Sequence, residues 1–264
     1  MNNETKASIL VAVLAATLAA GFLWWKSQQA PAPAPAVAVA PAPAATPVEP
    51  APPAEPAIRH PLDAEPAAEP LPALDDSDSP LTQALIALMG SEPWQALFHP
   101  DRIVRRIVAT VDNLPRQEAP VKMWPVKPAG AWLATAGDGD ALHIAPDNAR
   151  RYAAYVRLAE TTDAARLVAV YRHFHPLFQQ AYVELGYPQG YFNDRLVTAI
   201  DDLLATPEPA EPPRLVQRKV VYQFADPDLE RRSAGQKIML RIGADKARAV
   251  KTKLREIRKL VAKP

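Results

Sequence analysis

The chain has 264 residues, of which 30 are proline, 9 are glycine and none is cysteine. The absence of cysteine excludes disulfides, zinc–thiolate sites, thiol nucleophiles and an acylated lipoprotein cysteine. The net charge of +1 hides a gradient: residues 71–213 carry 12 Lys/Arg and 18 Asp/Glu, whereas residues 214–264 carry 15 and 5.

An uncharged apolar run at residues 7–25 follows the short N-terminal tail, residues 1–6. As an α-helix it would extend ~28 Å, close to the ~30 Å hydrocarbon core of a bilayer. The run therefore predicts a single transmembrane helix, with a cleaved signal peptide as the alternative. The residues expected to anchor it are Ile9, Leu10, Val11, Val13, Leu14, Leu18, Phe22, Leu23, Trp24 and Trp25.

The flanks of this run suggest its orientation. Lys6 and Lys26 are nearly balanced, but a very short tail favours an N-terminus on the inside. We therefore expect everything after Lys26 to lie on the outer side of the membrane.

Residues 26–74 predict a disordered Pro/Ala-rich linker. Between residues 30 and 74, 14 of 45 residues are proline, which prevents helix formation at this density. Extended polyproline II at ~3.1 Å per residue would bring this stretch to ~140 Å. The linker is expected to be a spacer between membrane and domain.

Residues 75–264 are numerous enough for one core, and their patterns predict a mainly α domain with a minor β element. Helices are expected where caps and apolar periodicity coincide. The first is expected from Ser79-Pro80 to Gly90, and the second along the stripe Ile103, Ile107 and Val111. Two more are expected to begin at Asp147-Asn148 and at Thr162-Asp163, the latter kinked or broken at Pro176. The last three are expected from 191 to about 205, from Asp226 to Ile242, and from Asp245 onward. A hairpin is expected around residues 136–140 and a short strand at 218–224.

Five segments of this domain, taken together, resemble one bacterial family. They are NLPR at 113–116, HPLFQQAYVELGYPQGYFNDRL at 175–196, TAIDDLLATP at 198–207, FADPDLE at 224–230 and GQKIMLRIG at 235–243. Over about residues 71–264 the chain resembles the domain-of-unknown-function family DUF3014. The resemblance implies an N-terminal membrane segment with a low-complexity spacer, and it supplies no catalytic residues. The expected location is the bacterial inner membrane, with the domain in the periplasm.

The loop at residues 186–195 is the most distinctive stretch of the domain. One interpretation is a groove in which Tyr187, Tyr191, Asn193 and Asp194 meet a ligand such as a sugar or a peptide. The other is a helix-to-helix turn, with aromatic rings in the core and Asn193 or Asp194 capping the next helix.

The histidines do not predict a metal site. His173 and His175 are two apart, but a zinc site needs three or four ligands and no companion spacing is present. We interpret both as ordinary residues at a helix boundary. No metal and no cofactor are expected.

Carboxylates near the loop allow one enzymatic hypothesis. Glu184 or Asp194 could act as an acid with Asp201 or Asp202 as its partner, as in glycan cleavage. The common active-site motifs are missing. The sequence therefore favours a non-catalytic binding or scaffolding module of the envelope, with a cell-wall glycan or peptide hydrolase as the alternative.

The final helix is the other binding candidate. Its apolar stripe comprises Ala247, Val250, Leu254, Ile257 and Val261. Its opposite face is expected to carry the basic residues Arg248, Lys251, Arg255 and Lys259. Such a face could be solvated or could bind an anionic envelope component or a protein. Nucleic acid is not expected, because no stacking or groove-reading module is present.

Overall fold

A computed structural model describes residues 57–62 and 70–262 of the chain. The predicted transmembrane helix at 7–25 and most of the predicted linker lie outside the described residues. Among the helices of the described ranges, none combines the length and the apolar character needed to cross a bilayer.

The described residues form a mainly helical domain with two small antiparallel sheets, as predicted. The α-helices are α1 (Asp78–Met89), α2 (Ser91–Leu97), α3 (Ile103–Asn113), α4 (Ala153–Thr161), α5 (Ala164–Glu184), α6 (Phe192–Leu204), α7 (Pro227–Glu230), α8 (Ala234–Arg241) and α9 (Ala244–Val261). The strands are β1 (Thr135–Ala136), β2 (His143–Ile144), β3 (Leu215–Arg218) and β4 (Val221–Phe224). Short 3-10 turns occupy Leu74–Asp76, Val121–Met123, Gly139–Ala141 and Pro146–Tyr152.

Four helices enclose the main core. α1, α3, α5 and α6 each turn an apolar face toward the others. Leu81, Val104, Val108 and Phe192 are each at most 2% exposed there. Burying such a side chain contributes roughly 1.5–3 kcal/mol, so this core fixes the positions of α5 and α6.

α5 is not broken at Pro176, where the sequence suggested a kink or a break. A proline inside a helix removes one backbone hydrogen bond and costs roughly 3 kcal/mol. Pro176 lies on the exposed side of the helix, whereas its neighbours Phe174, Leu177 and Phe178 are buried in the main core. The burial of these three side chains offsets the cost of the proline.

Several other helix boundaries differ from the prediction. α1 begins at Asp78, ahead of Ser79, and the Asp78 carboxylate accepts the first backbone amides of α3. The helix expected from Asp226 to Ile242 is two helices, because Ser233 caps α8 by accepting the Gln236 amide. The expected cap at Asp163 is confirmed, since its carboxylate accepts the Arg166 amide at 2.7 Å.

The two sheets lie side by side over a small core of their own. β1 pairs with β2, and β3 pairs with β4, which confirms the hairpin around residues 136–140 but turns the single strand expected at 218–224 into a hairpin. A bridge between His143 and Arg214 joins the two sheets. Ile144, Leu215 and Phe224 are buried beneath them against Leu240 of α8.

The folded part extends into the predicted linker. Leu74 is 5% exposed and belongs to the main core. Leu62 packs on a second core formed by α5, α6 and α9, next to Val197, Ile200 and Val261. The sequence predicted that both leucines lie in a disordered spacer, because the surrounding prolines indicate disorder and no sequence pattern marks such short apolar contacts.

α9 packs on the domain through its predicted apolar stripe. Ala247 and Val261 are 4% and 1% exposed, and Val250, Leu254 and Ile257 are partly buried between them. The stripe predicted from the 3–4 spacing is confirmed.

Lys251 does not lie on the exposed face predicted for it. Its side chain is only 4% exposed, because it follows Ala247 by one helical turn and faces the domain. Its Nζ donates to the Thr206 carbonyl at 2.7 Å and to Glu208 Oε1 at 2.6 Å. The predicted exposed basic face is therefore wrong at Lys251, which instead ties the segment after α6 to α9.

We expect Lys251→Met to lower the free energy of unfolding by about 1–3 kcal/mol, because the buried Thr206 carbonyl loses its donor. Lys259→Met, on the exposed side of the same helix, is the control and should change stability by less than about 0.5 kcal/mol. Urea unfolding followed by circular dichroism measures both. Equal stability of the two variants would show that the Lys251 contacts contribute nothing measurable.

Candidate functional site

The loop between α5 and α6 is fixed by close packing. Gly186 has a φ of 115°, in a region that favours glycine. At Gly190 a Cβ atom would lie 2.7 Å from the Tyr182 ring, so a larger residue would displace that ring. Tyr187 stacks on Tyr182 with ring centroids 4.5 Å apart. The loop is thus a tightly packed turn from α5 into α6.

Gln179 clamps the point where the loop enters α6. Its Nε2 donates to the Gly190 carbonyl at 2.7 Å, and its Oε1 accepts the Phe192 amide at 2.8 Å. One side chain of α5 thereby satisfies two backbone groups and fixes the first turn of α6.

A buried carboxylate ties the same loop to α3. Asp112 is 5% exposed and lies 3.0 Å from Arg116 Nη2 and 3.0 Å from Arg195 Nε. The Tyr187 hydroxyl donates to its Oδ2 at 3.2 Å. The hydrogen bond from Arg116 to Asp112 raises the pKa of the Arg116 guanidinium. α3 ends at Asn113, next to Asp112, and Asp112 is the centre of an ion-pair cluster.

The first turn of α6 contacts the segment of residues 57–62. Asp194 is the main partner: its Oδ2 accepts the Arg59 amide at 3.0 Å and its Oδ1 accepts the His60 amide at 2.8 Å. The Arg59 side chain adds a weak ion pair, with Nε 4.0 Å from Asp194 Oδ2. The cap position of α6 is Tyr191, so Asp194 bonds to another segment instead of capping its own helix as predicted.

Tyr191 and the apolar second core hold the end of the same segment. The Leu62 amide donates to the Tyr191 hydroxyl at 3.1 Å, and the Leu62 side chain packs among the residues of that core. Pro61 between His60 and Leu62 has no amide to satisfy. Three successive backbone donors of the segment therefore find acceptors on one short stretch of α6.

Asn193 completes the groove from beneath. Its side chain is fully buried, and its Nδ2 donates to the His60 carbonyl and to the Val261 carbonyl, each at 2.8 Å. The Tyr171 hydroxyl donates to its Oδ1 at 3.1 Å. We call the surface formed by Tyr191, Asn193 and Asp194 the segment groove.

A cleft of about 370 Å³ lies between the held segment and the loop. It combines aromatic, amide and oppositely charged groups. Its lining comprises Ala57, Arg59, Tyr182, Gln189, Gly190, Tyr191, Asp194, Arg195 and Thr198.

His175 lies behind the groove, next to two tyrosine rings. Its ring is 5.1 Å from Tyr191 and 5.6 Å from Tyr171, centroid to centroid, and burial lowers the pKa of His175 to about 4. His173 is exposed on the same helix. Across residues 57–62 and 70–262, no group of three His, Asp or Glu side chains is placed to bind a metal ion.

The structure brings together three of the four loop residues named from the sequence. Tyr191, Asn193 and Asp194 form the segment groove, whereas Tyr187 turns to Asp112. Of the basic residues on α9, Arg248 pairs with Asp245 and lies near Glu208, Lys251 is buried, and Arg255 and Lys259 are exposed.

The four carboxylates of the hydrolase hypothesis are each bound to other protein groups. Asp194 accepts two backbone amides of the segment. Glu184 pairs with Arg105 at 2.9 Å, Asp201 pairs with Arg258 at 2.5 Å, and Asp202 accepts hydrogen bonds from Ser233 and Gln236.

Sequence reasoning missed Gln179 and the segment that the groove holds. One signal was present in IRHPL at 58–62, which interrupts a stretch made almost entirely of Ala, Pro and Glu. It contains two large aliphatic residues, Ile58 and Leu62, together with Arg59 and His60. No comparable signal marks Gln179, because a glutamine on a helix is unremarkable until its partners are known.

Together these features define a helical domain with a groove that holds a short segment of its own chain. The family described as "Protein of unknown function (DUF3014)" matches residues 103–258, and the chain therefore belongs to that family, as the resemblance suggested. No curated protein and no solved structure matches it. The matched range includes the groove but not residues 57–62, which it holds.

Asp112→Ala should lower the free energy of unfolding by about 2–4 kcal/mol, because Arg195, whose side chain is 21% exposed, loses its carboxylate partner. Asp245→Ala removes an exposed partner of Arg248 and should cost less than about 1 kcal/mol. Urea unfolding of both variants tests the difference. A loss at Asp112 no larger than at Asp245 would contradict a structural role for the cluster.

The lowered pKa of His175 predicts a loss of stability in acid. The unfolded chain binds a proton near pH 6.5 and the folded chain only near pH 4, so stability falls as the pH is lowered through that range. Since the ring is partly exposed, the loss should be about 1–2 kcal/mol. His175→Phe should remove this part of the pH dependence and the control His173→Phe should not, in urea unfolding at pH 7 and pH 5. Parallel pH profiles of the two variants would refute it.

Proposed function

We propose that the protein is a non-catalytic binding module of the bacterial envelope whose segment groove binds a short peptide. The helix at residues 7–25 would anchor it in the inner membrane, and the Pro/Ala-rich linker would display the domain in the periplasm. The observation that carries this proposal is the bonding of residues 57–62 by Tyr191, Asn193 and Asp194.

The contacts favour a peptide as the ligand because they are made mainly to backbone groups. The groove bonds the amides of residues 59, 60 and 62 and the carbonyl of residue 60. Every peptide carries these groups at the same spacing, and backbone bonds supply affinity while side-chain sockets supply specificity.

Selectivity would come from the ends of the segment. Leu62 enters the apolar second core, so a partner peptide needs an aliphatic residue there. Pro61 suits the position between two bonded residues because no amide is required at it. The Arg59 side chain is mostly exposed, so a cation at that position adds little.

Without a partner peptide, the groove is occupied by residues 57–62 of the same chain. This segment is tethered to the domain and is therefore present at a high effective concentration. A partner peptide would have to displace this segment. The four carboxylates of the hydrolase alternative all bond to other protein groups, which supports a structural role for Glu184, Asp194, Asp201 and Asp202. Among the described residues, no contact favours the hydrolase alternative.

The test uses the full chain with residues 57–62 deleted, which removes the segment, with its backbone donors and Leu62, from the groove. A fluorescent peptide with the sequence of residues 57–62 should bind this variant at least about 10-fold more tightly than it binds the wild-type chain, measured by anisotropy. Adding Asp194→Asn should weaken binding by about 10-fold or more, because two amides lose a charged acceptor.

Two controls complete the experiment. Asp228→Asn alters an exposed carboxylate outside the groove and should leave peptide binding unchanged. A peptide with Leu replaced by Ser at its last position should bind more weakly, whereas Arg replaced by Ala should matter little. No binding to a variant that keeps its helical circular dichroism would refute a groove for peptides.

A further inference from the structure

The second hairpin ends in an unusual turn. β3 and β4 pair in register from Leu215 with Phe224 to Arg218 with Val221, so the turn consists of Lys219 and Val220 alone. Side chains on paired strands alternate between two faces. Leu215 and Phe224 point to the core, and Val216, Arg218 and Val221 therefore share the outer face.

The two turn residues are poorly suited to a turn. Lys219 has a φ of 57°, a conformation for which two-residue hairpins normally use glycine or asparagine. Val220 is 90% exposed, although an apolar side chain such as that of valine is more favourable when it is buried. Since both choices oppose the stability of the hairpin, a contact outside the domain is the simpler explanation for them.

The same tip combines apolar surface with cations that have no partner. Val221 is 55% exposed and Val216 is 38% exposed. Arg218 and Lys219 are exposed, and within the described ranges neither side chain makes an ion pair or a side-chain hydrogen bond. This contrasts with the basic residues of α9, most of which have carboxylate partners.

We infer that this hairpin tip docks the domain onto an anionic lipid surface. Valine side chains at the tip would enter the boundary between headgroups and acyl chains, and Arg218 and Lys219 would meet the lipid phosphates. Charge complementarity selects a lipid surface over an apolar protein partner, because two unpaired cations flank the exposed valines. The inference rests on the proposed membrane anchor, which would keep such a surface within reach of the domain.

The absence of cysteine allows a direct test with a single label. The full chain carrying Val220→Cys, labelled with the fluorophore NBD, is incorporated into nanodiscs of phosphatidylcholine with or without one quarter phosphatidylglycerol. In the anionic discs we expect a blue shift and quenching by doxyl lipids at least about 3-fold stronger than in neutral discs. The effect should weaken in 0.5 M salt, as screening predicts.

Matched variants separate the tip from the anchor. The control Val183→Cys labels another exposed valine, on α5, and should show no dependence on lipid. Its co-elution with the discs reports the anchor, so a failed anchor and a failed docking give different results. Arg218→Glu with Lys219→Glu should abolish quenching at Val220→Cys.

The turn itself provides a further variant. Lys219→Gly with Val220→Asn, labelled at Val221→Cys, should raise the melting temperature and lose the contact with anionic discs. A lower melting temperature would show that the native residues serve the turn. Unchanged NBD emission at residue 220 in every lipid, or a change only when a protein partner is added, would overturn the inference.

Discussion

The side chain of Asn193 joins three parts of the domain that are distant in sequence. It is fully buried, so each of its polar atoms must find a partner inside the protein, and an unmade bond there costs about 1–3 kcal/mol. The partners are the His60 carbonyl, the Val261 carbonyl and the Tyr171 hydroxyl. The segment, the end of α9 and the middle of α5 must therefore be in place together.

This requirement also explains how α9 ends. The last carbonyls of a helix have no partner within it. Asn193 donates to the Val261 carbonyl, and Arg172 donates to the Leu260 carbonyl at 2.6 Å. Two neighbouring helices thus cap the terminal helix from the side, and the segment groove is built on the same contacts that fix the C-terminal part of the domain.

Part of the charge gradient along the chain is an internal complementarity. Basic residues of α9 meet carboxylates from the acidic body: Lys251 with Glu208, and Arg258 with Asp201. A count of charges by sequence segment cannot distinguish such pairs from a surface meant for a partner. Helix periodicity located α9 and its apolar stripe correctly, and it also puts Lys251 on the face of Ala247. The charge of Lys251 nevertheless favoured an exposed position, because its buried partners Thr206 and Glu208 are known only from the fold. The same limit applies to the held segment, because its partners are about 130 residues away in sequence and no local pattern records them.

Under the proposed function, holding the segment would also change how far the predicted linker reaches. In the extended conformation that the sequence predicts, residues 26–56 span ~95 Å and residues 26–69, which end before the stretch that packs on the main core, span ~135 Å, at ~3.1 Å per residue. Under the proposed function, a peptide that displaces residues 57–62 therefore lengthens the tether as it binds. Since linkage is reciprocal, a pull on the tether that strips the segment from Asp194 and Tyr191 would in turn open the groove to a partner. Peptide binding and the distance of the domain from the membrane would then be two readouts of one equilibrium, set by the few hydrogen bonds that Tyr191, Asn193 and Asp194 make.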